Sequence, residues 1–472
     1  MIAMRLKRLA IGLAAVFSGC LTGPDYERPA PPVPASIGDA ARATDIALPI
    51  WNIYFGDAAL GGLIDRALAD NRDLRIAVAR VEEARAQFGV SRADLFPSFD
   101  LNVQEAASRA PVVGAPTNVV TRRYDVNLGL LSYELDFWGR VRRLKESALA
   151  NYLASDEGSR AFRLSLIADV ANAYYSARSL DERADLARRT AATREEALRL
   201  IERRVDAGVA SRLDKLQGES VLESARADAA ALARQAANAR NALAVLVGQP
   251  IALPGPTGAA LDDLALPASL PSGLPSNVLL NRPDVLQAEQ NLVAANANVG
   301  AARAAFFPRV TLVGSAGFAS PQLSGLFDGD RRAWSFVPSI TTPIFAGGRN
   351  VANVDIAEAR KVVAVAQYEK SIQQAFAEVA NVLSDQSYLA SQYAAQARLA
   401  ERQDERLKLA QARYDAGLIG YLDVLDAQRE QYAARQALIE VKRARLAAAA
   451  QAYKALGGNG ARVKELETVG AR

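Results

Sequence analysis

Two stretches of the sequence repeat one another and decide the fold. Residues 413–429 read RYDAGLIGYLDVLDAQR, and residues 204–220 read RVDAGVASRLDKLQGES, with the first residues of the two stretches 209 places apart. Both contain Asp-Ala-Gly, followed at the same spacing by Leu-Asp. Upstream, the Gly-Arg pair at 139–140 recurs at 348–349. A repeat at a constant offset indicates two copies of one structural unit.

Each Asp-Ala-Gly sequence follows a long stretch of helix-forming residues. No proline occurs in residues 141–249 or from residue 344 to the end. Both stretches are rich in Ala, Leu, Arg, Glu and Gln, which have the highest helix propensities. We therefore predict long helices over about 142–204 and 351–416. At a rise of 1.5 Å per residue, each would extend about 90 to 100 Å.

Glycine is predicted to end each long helix, because it tolerates the positive φ of a helix C-cap. Gly208 and Gly417 occupy these positions. Return helices are then expected over about 212–247 and 421–456. Considered alone, this helical pattern also fits a solvent-exposed coiled coil.

A pair of strand-like segments precedes each long helix. In the first pair, Phe99, Leu101 and Val103 alternate with polar residues, which indicates a strand with one apolar face. We predict β-hairpins over 98–137 and 309–345. Their strands of about 10 to 14 residues match tilted membrane-spanning strands, although the strands of a soluble domain show the same alternation.

Four strands cannot close a membrane barrel by themselves. Bacterial barrels have at least eight strands, and an open edge would leave backbone groups unpaired in lipid. If these strands span a membrane, several chains must each contribute four strands to one shared barrel.

The N-terminus predicts export and a lipid anchor. Arg5, Lys7 and Arg8 precede a short apolar run, and small residues stand before Cys20, which together predict a signal peptide over residues 1–19. A cysteine after small residues resembles a lipobox, so Cys20 is predicted to become the lipid-modified N-terminus in the outer membrane. An unmodified cysteine in an ordinary signal peptide is the alternative.

The composition disfavours several functional classes. The chain has 56 basic and 52 acidic residues, no histidine and one cysteine. Near-balanced charge without a basic stripe disfavours nucleic acid as a partner. Without histidine or a spare thiol, the usual zinc ligands, general base and sulfur nucleophile are missing. We therefore expect no enzyme activity, no cofactor and no metal.

Several motifs together resemble the TolC/OprM-type outer-membrane factors, in particular their lipoprotein branch, the NodT family. The resemblance is carried by Gly-Pro-Asp-Tyr at 23–26, by Asn-Arg-Pro-Asp-Val at 281–285 and by Phe-Pro at 307–308. It covers nearly the whole chain. It implies an α+β membrane protein: an internally duplicated trimer whose twelve-stranded β-barrel, four strands per chain, continues into a long periplasmic α-helical barrel.

The resemblance also implies a function and partners. The chain would be a passive, gated outer-membrane conduit of a tripartite efflux pump that exports small molecules such as drugs and toxic compounds. Its partners would be two further copies of itself, outer-membrane lipid, a periplasmic adaptor (membrane fusion) protein and an inner-membrane pump of the resistance-nodulation-division (RND) class. The predicted segments are the signal peptide (1–19), a lipid-anchored segment (20–60), the first repeat (61–250), an equatorial linker (251–280), the second repeat (281–457) and a C-terminal tail (458–472).

The second turn contains the candidate gate. Asp423 and Asp426 are three residues apart and share one helix face, with Arg429 one turn further on. In a trimer this face gives a ring of carboxylates, which would favour cations and could bind a divalent ion. Spacing alone favours a solvated charged face with local salt bridges.

The family resemblance implies the gate more specifically. The residues that it places there are Tyr414, Leu422, Asp426 and Arg429, and Asp423 joins them because it shares the helix face of Asp426. Asp214, the repeat partner of Asp423, is a further candidate for the same network. Ile419 stands where the TolC pattern has a basic residue that braces the closed state, so a latch of that kind is not expected here.

Three other functions remain open at this level. A lipid-anchored periplasmic adaptor would account for the anchor and the helices but not for duplicated β-hairpins. An outer-membrane duct for type I protein secretion would have the same architecture. An enzyme that uses only carboxylates fits worst, because no carboxylate pair stands in an evident pocket.

Overall fold

The computed structural model describes most of the chain. The described residues are 22–38, 48–110, 119–251, 261, 264, 266, 270 and 273–458. The predicted signal peptide and Cys20 therefore lie outside them, as does all of the predicted tail except Gly458.

Long helices dominate the described chain. The helices are α1 (Trp51–Phe55), α2 (Ala58–Asp70), α3 (Arg72–Ala93), α4 (Arg140–Asp206), α5 (Arg212–Val247), α6 (Pro283–Ala304), α7 (Arg349–Asp415) and α8 (Tyr421–Ala455). α4 and α7 contain 67 residues each, which corresponds to about 100 Å. No helix within the described residues combines the length and the apolarity that crossing a membrane would need.

The strands form two separate sheets. They are β1 (Ser36–Gly38), β2 (Phe99–Ala110), β3 (Val119–Leu135), β4 (Gly273–Pro275), β5 (Arg309–Ser320) and β6 (Arg332–Thr341). β1 pairs with β4, and the other four form one antiparallel sheet in the order β2-β3-β5-β6. β6 ends four residues before the predicted hairpin end at 345. Pro343 follows this strand end and cannot donate to a strand ladder.

The chain divides into two compact units, and each takes segments from both sequence repeats. The first, here called the sheet unit, comprises Met1–Ala30, Arg80–Asp156 and Gln287–Glu369. The second, here called the hairpin unit, comprises Pro31–Ala79, Glu157–Leu286 and Lys370–Arg472.

The sheet unit joins the two predicted hairpins into a single sheet. β3 of the first repeat pairs with β5 of the second, with a bulge between Leu130 and Tyr133. β2 and β6 are the outer strands, so each has one edge that pairs with no other strand among the described residues.

The two faces of this sheet differ in chemistry. Directly paired residues share a face and the faces alternate along each strand, so the register assigns every side chain to one of them. The apolar face includes Phe99, Leu101, Val103, Val126, Leu128, Trp334, Phe336 and Ile340. The opposite face includes Asp100, Asn102, Gln104, Asn127, Ser315 and Ser335, together with Val313 and Val337. On the apolar face, Val103 is 68% exposed and Trp334 is 79% exposed.

The N-terminal segment 22–28 lies along α6 within the sheet unit. The backbone N–H and the hydroxyl of Thr22 both donate to the Trp138 carbonyl, at 3.2 and 2.8 Å. Further along, Arg28 donates two hydrogen bonds of 2.7 Å to the buried carboxylate of Glu289, and the Tyr26 hydroxyl donates a third at 3.0 Å. These bonds hold the segment at both ends.

In the hairpin unit, small residues bring the helices close together. Ala184 and Ala187 of α4 form a buried cluster with Leu232 of α5, and Tyr432 of α8 packs against it. The core therefore connects the first helical hairpin, α4–α5, to α8 of the second, α7–α8.

Candidate gate at the two helical turns

The two long helices end in the same way. Gly208 and Gly417 have φ values of 69° and 74°, which only glycine adopts without strain. Val209 N–H donates to the Arg204 carbonyl at 2.9 Å, and Leu418 N–H donates equally to that of Arg413. The predicted glycine caps are confirmed in both repeats.

At the first turn, Asp214 caps its own helix. Ser211 N–H and its hydroxyl donate to the Asp214 carboxylate at 2.9 and 2.8 Å, and Asp214 N–H donates to the Ser211 hydroxyl at 3.1 Å. This reciprocal arrangement is a capping box. The hydrogen bonds from Ser211 lower the pKa of the Asp214 carboxyl. In this structure its carboxylate therefore serves the N-terminus of α5.

At the second turn, Asp426 is paired with two arginines. Arg429, three residues ahead on the same helix, donates to it at 2.6 Å, and Arg406 of α7 donates at 2.5 Å. Arg429 also contacts Glu430 at 3.1 Å. The spacing argument identified the Asp426–Arg429 pair but missed Arg406. Because Arg406 and Asp426 lie at similar distances from the turn, 11 residues before Gly417 and 9 after it, an antiparallel pairing of α7 with α8 would have located Arg406.

Asp423 and Leu422 lie in a different environment. Leu422 is 66% exposed, and among the described residues Asp423 forms no ion pair. Asp423 borders a groove of about 480 Å³ whose other lining residues are Arg402, Glu405, Arg406, Leu409, Ala410, Arg413 and Ile419. No three metal-binding side chains cluster within the part of the chain that the structure describes.

Tyr414 lies between residues of both hairpins. Its ring centroid is 5.5 Å from that of Tyr421 at the start of α8. The guanidinium of Arg204, from α4, lies over the Tyr414 ring, with its Cζ 4.9 Å from the ring centroid. Burial raises the pKa of the Tyr421 phenol. The residues that reasoning from the sequence missed here are Arg204 and Tyr421.

Comparison with known proteins identifies one protein family over most of the chain. Residues 63–249 and 274–458 match the family described as outer membrane efflux protein. The chain is 42% identical over 465 residues to the toluene efflux pump outer membrane protein TtgI of Pseudomonas putida, covering 96% of this chain and 98% of the relative. It is 42% identical over 460 residues to the outer membrane protein OprJ of Pseudomonas aeruginosa, covering 95% of each.

A solved structure agrees with these relatives. The open-state outer membrane channel MtrE of Neisseria gonorrhoeae superposes with a TM-score of 0.84 at 41% identity, covering 94% of this chain and 99% of that one. The fold and the turns thus define an outer-membrane channel subunit. The chain belongs to the outer membrane efflux protein family. The resemblance drawn from the sequence, the outer-membrane location and the function in efflux are confirmed, and the family is one of transport channels rather than enzymes.

Proposed function

We propose that three copies of this chain form one efflux pore. Each copy would contribute its four-stranded sheet to a twelve-stranded barrel and its long helices to a periplasmic tunnel. The observation that carries the proposal is the sheet itself, whose outer strands β2 and β6 each have one edge unpaired in the part of the chain that the structure describes. Such edges are not tolerated in lipid, and four strands are too few to close on themselves.

The chemistry of the two faces supports the same arrangement. An apolar face that is exposed in one chain suits contact with lipid, and a face of amide, hydroxyl and glycine positions suits a water-filled lumen. In this assembly Val103 and Trp334 would face the bilayer, while Asn102 and Ser335 would face the lumen.

The stoichiometry is tested by native mass spectrometry of the protein extracted from outer membranes in detergent. Three chains per particle are expected, and a monomer or a dimer would contradict the barrel. The mass of the separated chain also tests the proposed lipid on Cys20.

The cargo and partners are inferred from the named functions of relatives. Curated relatives are efflux pump proteins for solvents, toluene and antibiotics. We propose that this chain likewise exports small, largely apolar compounds. They would be delivered by an inner-membrane RND-type pump through a periplasmic adaptor. The sequence has no nucleotide-binding loop, so the energy would come from that pump.

The second turn would contain the gate. Leu422 would narrow the pore by its exposed side chain, while the Asp426 pairs with Arg406 and Arg429 would fix α8 against α7. Because Asp426 is already paired with two cations, Asp423 would be the carboxylate that gives the pore its preference for cations. Tyr414 would stabilise the second turn by packing against Tyr421. Asp214 would stabilise the first turn by capping α5.

Neutralising this gate should make cells leaky. The triple replacement Leu422→Ala, Asp426→Asn and Arg429→Gln removes the constriction and both ion pairs. Uptake of a large antibiotic that the outer membrane normally excludes should rise severalfold. The control is Lys215→Gln with Glu219→Gln, which removes two ion pairs at the first turn, those of Lys215 with Glu202 and with Glu219. Equal uptake by cells with the triple variant and cells with the control would count against the gate.

A further inference from the structure

One contact joins the turns of the two helical hairpins. The Arg204 guanidinium, from the last turn of α4, lies 4.9 Å from the centroid of the Tyr414 ring in the last turn of α7. A guanidinium within about 6 Å of an aromatic centroid is attracted by the negative face of the ring. Tyr421 packs on the same tyrosine at 5.5 Å and helps to hold the ring in place.

The surroundings favour the ring face over the hydroxyl as the bonding group. Within the described residues, no hydrogen bond of the Tyr414 hydroxyl and no ion pair of Arg204 is found. At the start of α5, the Asp214 carboxylate accepts its hydrogen bonds from Ser211. Ile419 is apolar and cannot form an ion pair between the turns. The cation on the ring is thus the polar link between these two turns.

The internal repeat shows that this link has no counterpart. Arg204 corresponds to Arg413 in the second repeat, but Tyr414 corresponds to Val205 in the first. In the second repeat, Arg413 therefore has no aromatic partner at the position that corresponds to Tyr414, because that position is Val205. The contact is therefore asymmetric between the repeats: the first hairpin supplies the cation and the second supplies the ring.

We propose that Arg204 is a positioning residue of the gate. Its cation on the Tyr414 ring ties the first turn to the second in every chain and keeps the ring of turns narrow. The inference rests on the proposed function of the tip as a gate and adds a residue outside the second turn. A cation–π contact at a half-exposed site shifts an equilibrium by about two- to fivefold, which sets the expected effect per chain.

The test is the conductance of trimers in planar bilayers. Arg204→Gln and Tyr414→Leu should each raise the open fraction about two- to fivefold or more, and the double variant should add little to either. Tyr414→Phe retains the ring face and should behave as wild type. Arg204→Lys retains the charge but not the planar guanidinium, and should fall between wild type and Arg204→Gln. Arg203→Gln is the matched control, since it removes the same charge from the exposed neighbouring residue of the same helix.

The outcomes separate this inference from the gate itself. A Tyr414→Phe channel as leaky as Tyr414→Leu would make the hydroxyl the link and overturn the proposal. So would an Arg204→Gln channel that matches Arg203→Gln. In either case the wild-type pore and the gate at the second turn would stand. A folded wild-type trimer without any channel activity would overturn the proposed function, and this inference with it.

Discussion

Placing one arginine on the apolar face of the sheet is expected to abolish insertion into the outer membrane. Val103 lies within β2, opposite Val126, and is exposed in the single chain. An arginine on the lipid-facing side of a barrel costs about 2–4 kcal/mol near the bilayer midplane, and a trimer would carry three. Val103→Arg should therefore remove most of the folded trimer from the outer-membrane fraction.

The adjacent residue provides the control. Gln104 follows Val103 in the same strand and lies on the opposite face, beside Asp125. Gln104→Arg introduces the same side chain at nearly the same depth, and the trimer should still assemble. Equal loss of both variants would mean that the two faces do not divide lipid from lumen. Normal assembly of both would mean that this sheet does not meet lipid.

Replacement of Arg282 by alanine should be the most damaging single change in the hairpin unit. This arginine is only 3% exposed, yet it forms four hydrogen bonds. It donates to Asp284 at 3.1 and 2.7 Å, to Glu378 of α7 at 2.6 Å, and to the Ala455 carbonyl at the end of α8 at 2.7 Å. Losing a buried charged partner costs about 3–5 kcal/mol. We expect the lower end, about 3 kcal/mol, because both carboxylates remain partly exposed and can be hydrated.

The measurement is the temperature at which the solubilised protein loses half of its helical circular dichroism, at one fixed scan rate. Arg282→Lys should fall between wild type and Arg282→Ala, since an ammonium cannot reproduce the fork of a guanidinium. Arg226→Ala removes exposed surface pairs with Glu223 and Glu195 and should change the midpoint little. An Arg282→Ala midpoint equal to that of Arg226→Ala would show that the cluster does not hold the three elements together.

Local structure was largely predictable from the sequence. The predicted long helices 142–204 and 351–416 compare with Arg140–Asp206 and Arg349–Asp415. These ends are specified by residues within a few positions, namely the Asp-Ala-Gly caps and the long runs of good helix formers. The duplication supported each assignment by repeating it.

Contacts between segments that are distant in sequence were harder to predict. Pairing of β3 with β5, the bond of Arg406 to Asp426 and the contact of Arg204 with Tyr414 join residues whose proximity depends on the tertiary fold. Hydrophobic periodicity identifies which face of an element is buried but not which element covers it. The partner of Asp426 could have been found by pairing the two arms of its turn, whereas Arg204 lies in the other hairpin, where no local signal points to Tyr414.

The central claim, that this chain forms a gated pore, is tested most directly by recording single-channel currents from purified trimers in planar bilayers. We expect discrete steps of small conductance in the wild type, with larger steps in the variant that carries Leu422→Ala, Asp426→Asn and Arg429→Gln. Absence of current from both, in samples shown to be folded trimers, would contradict the account.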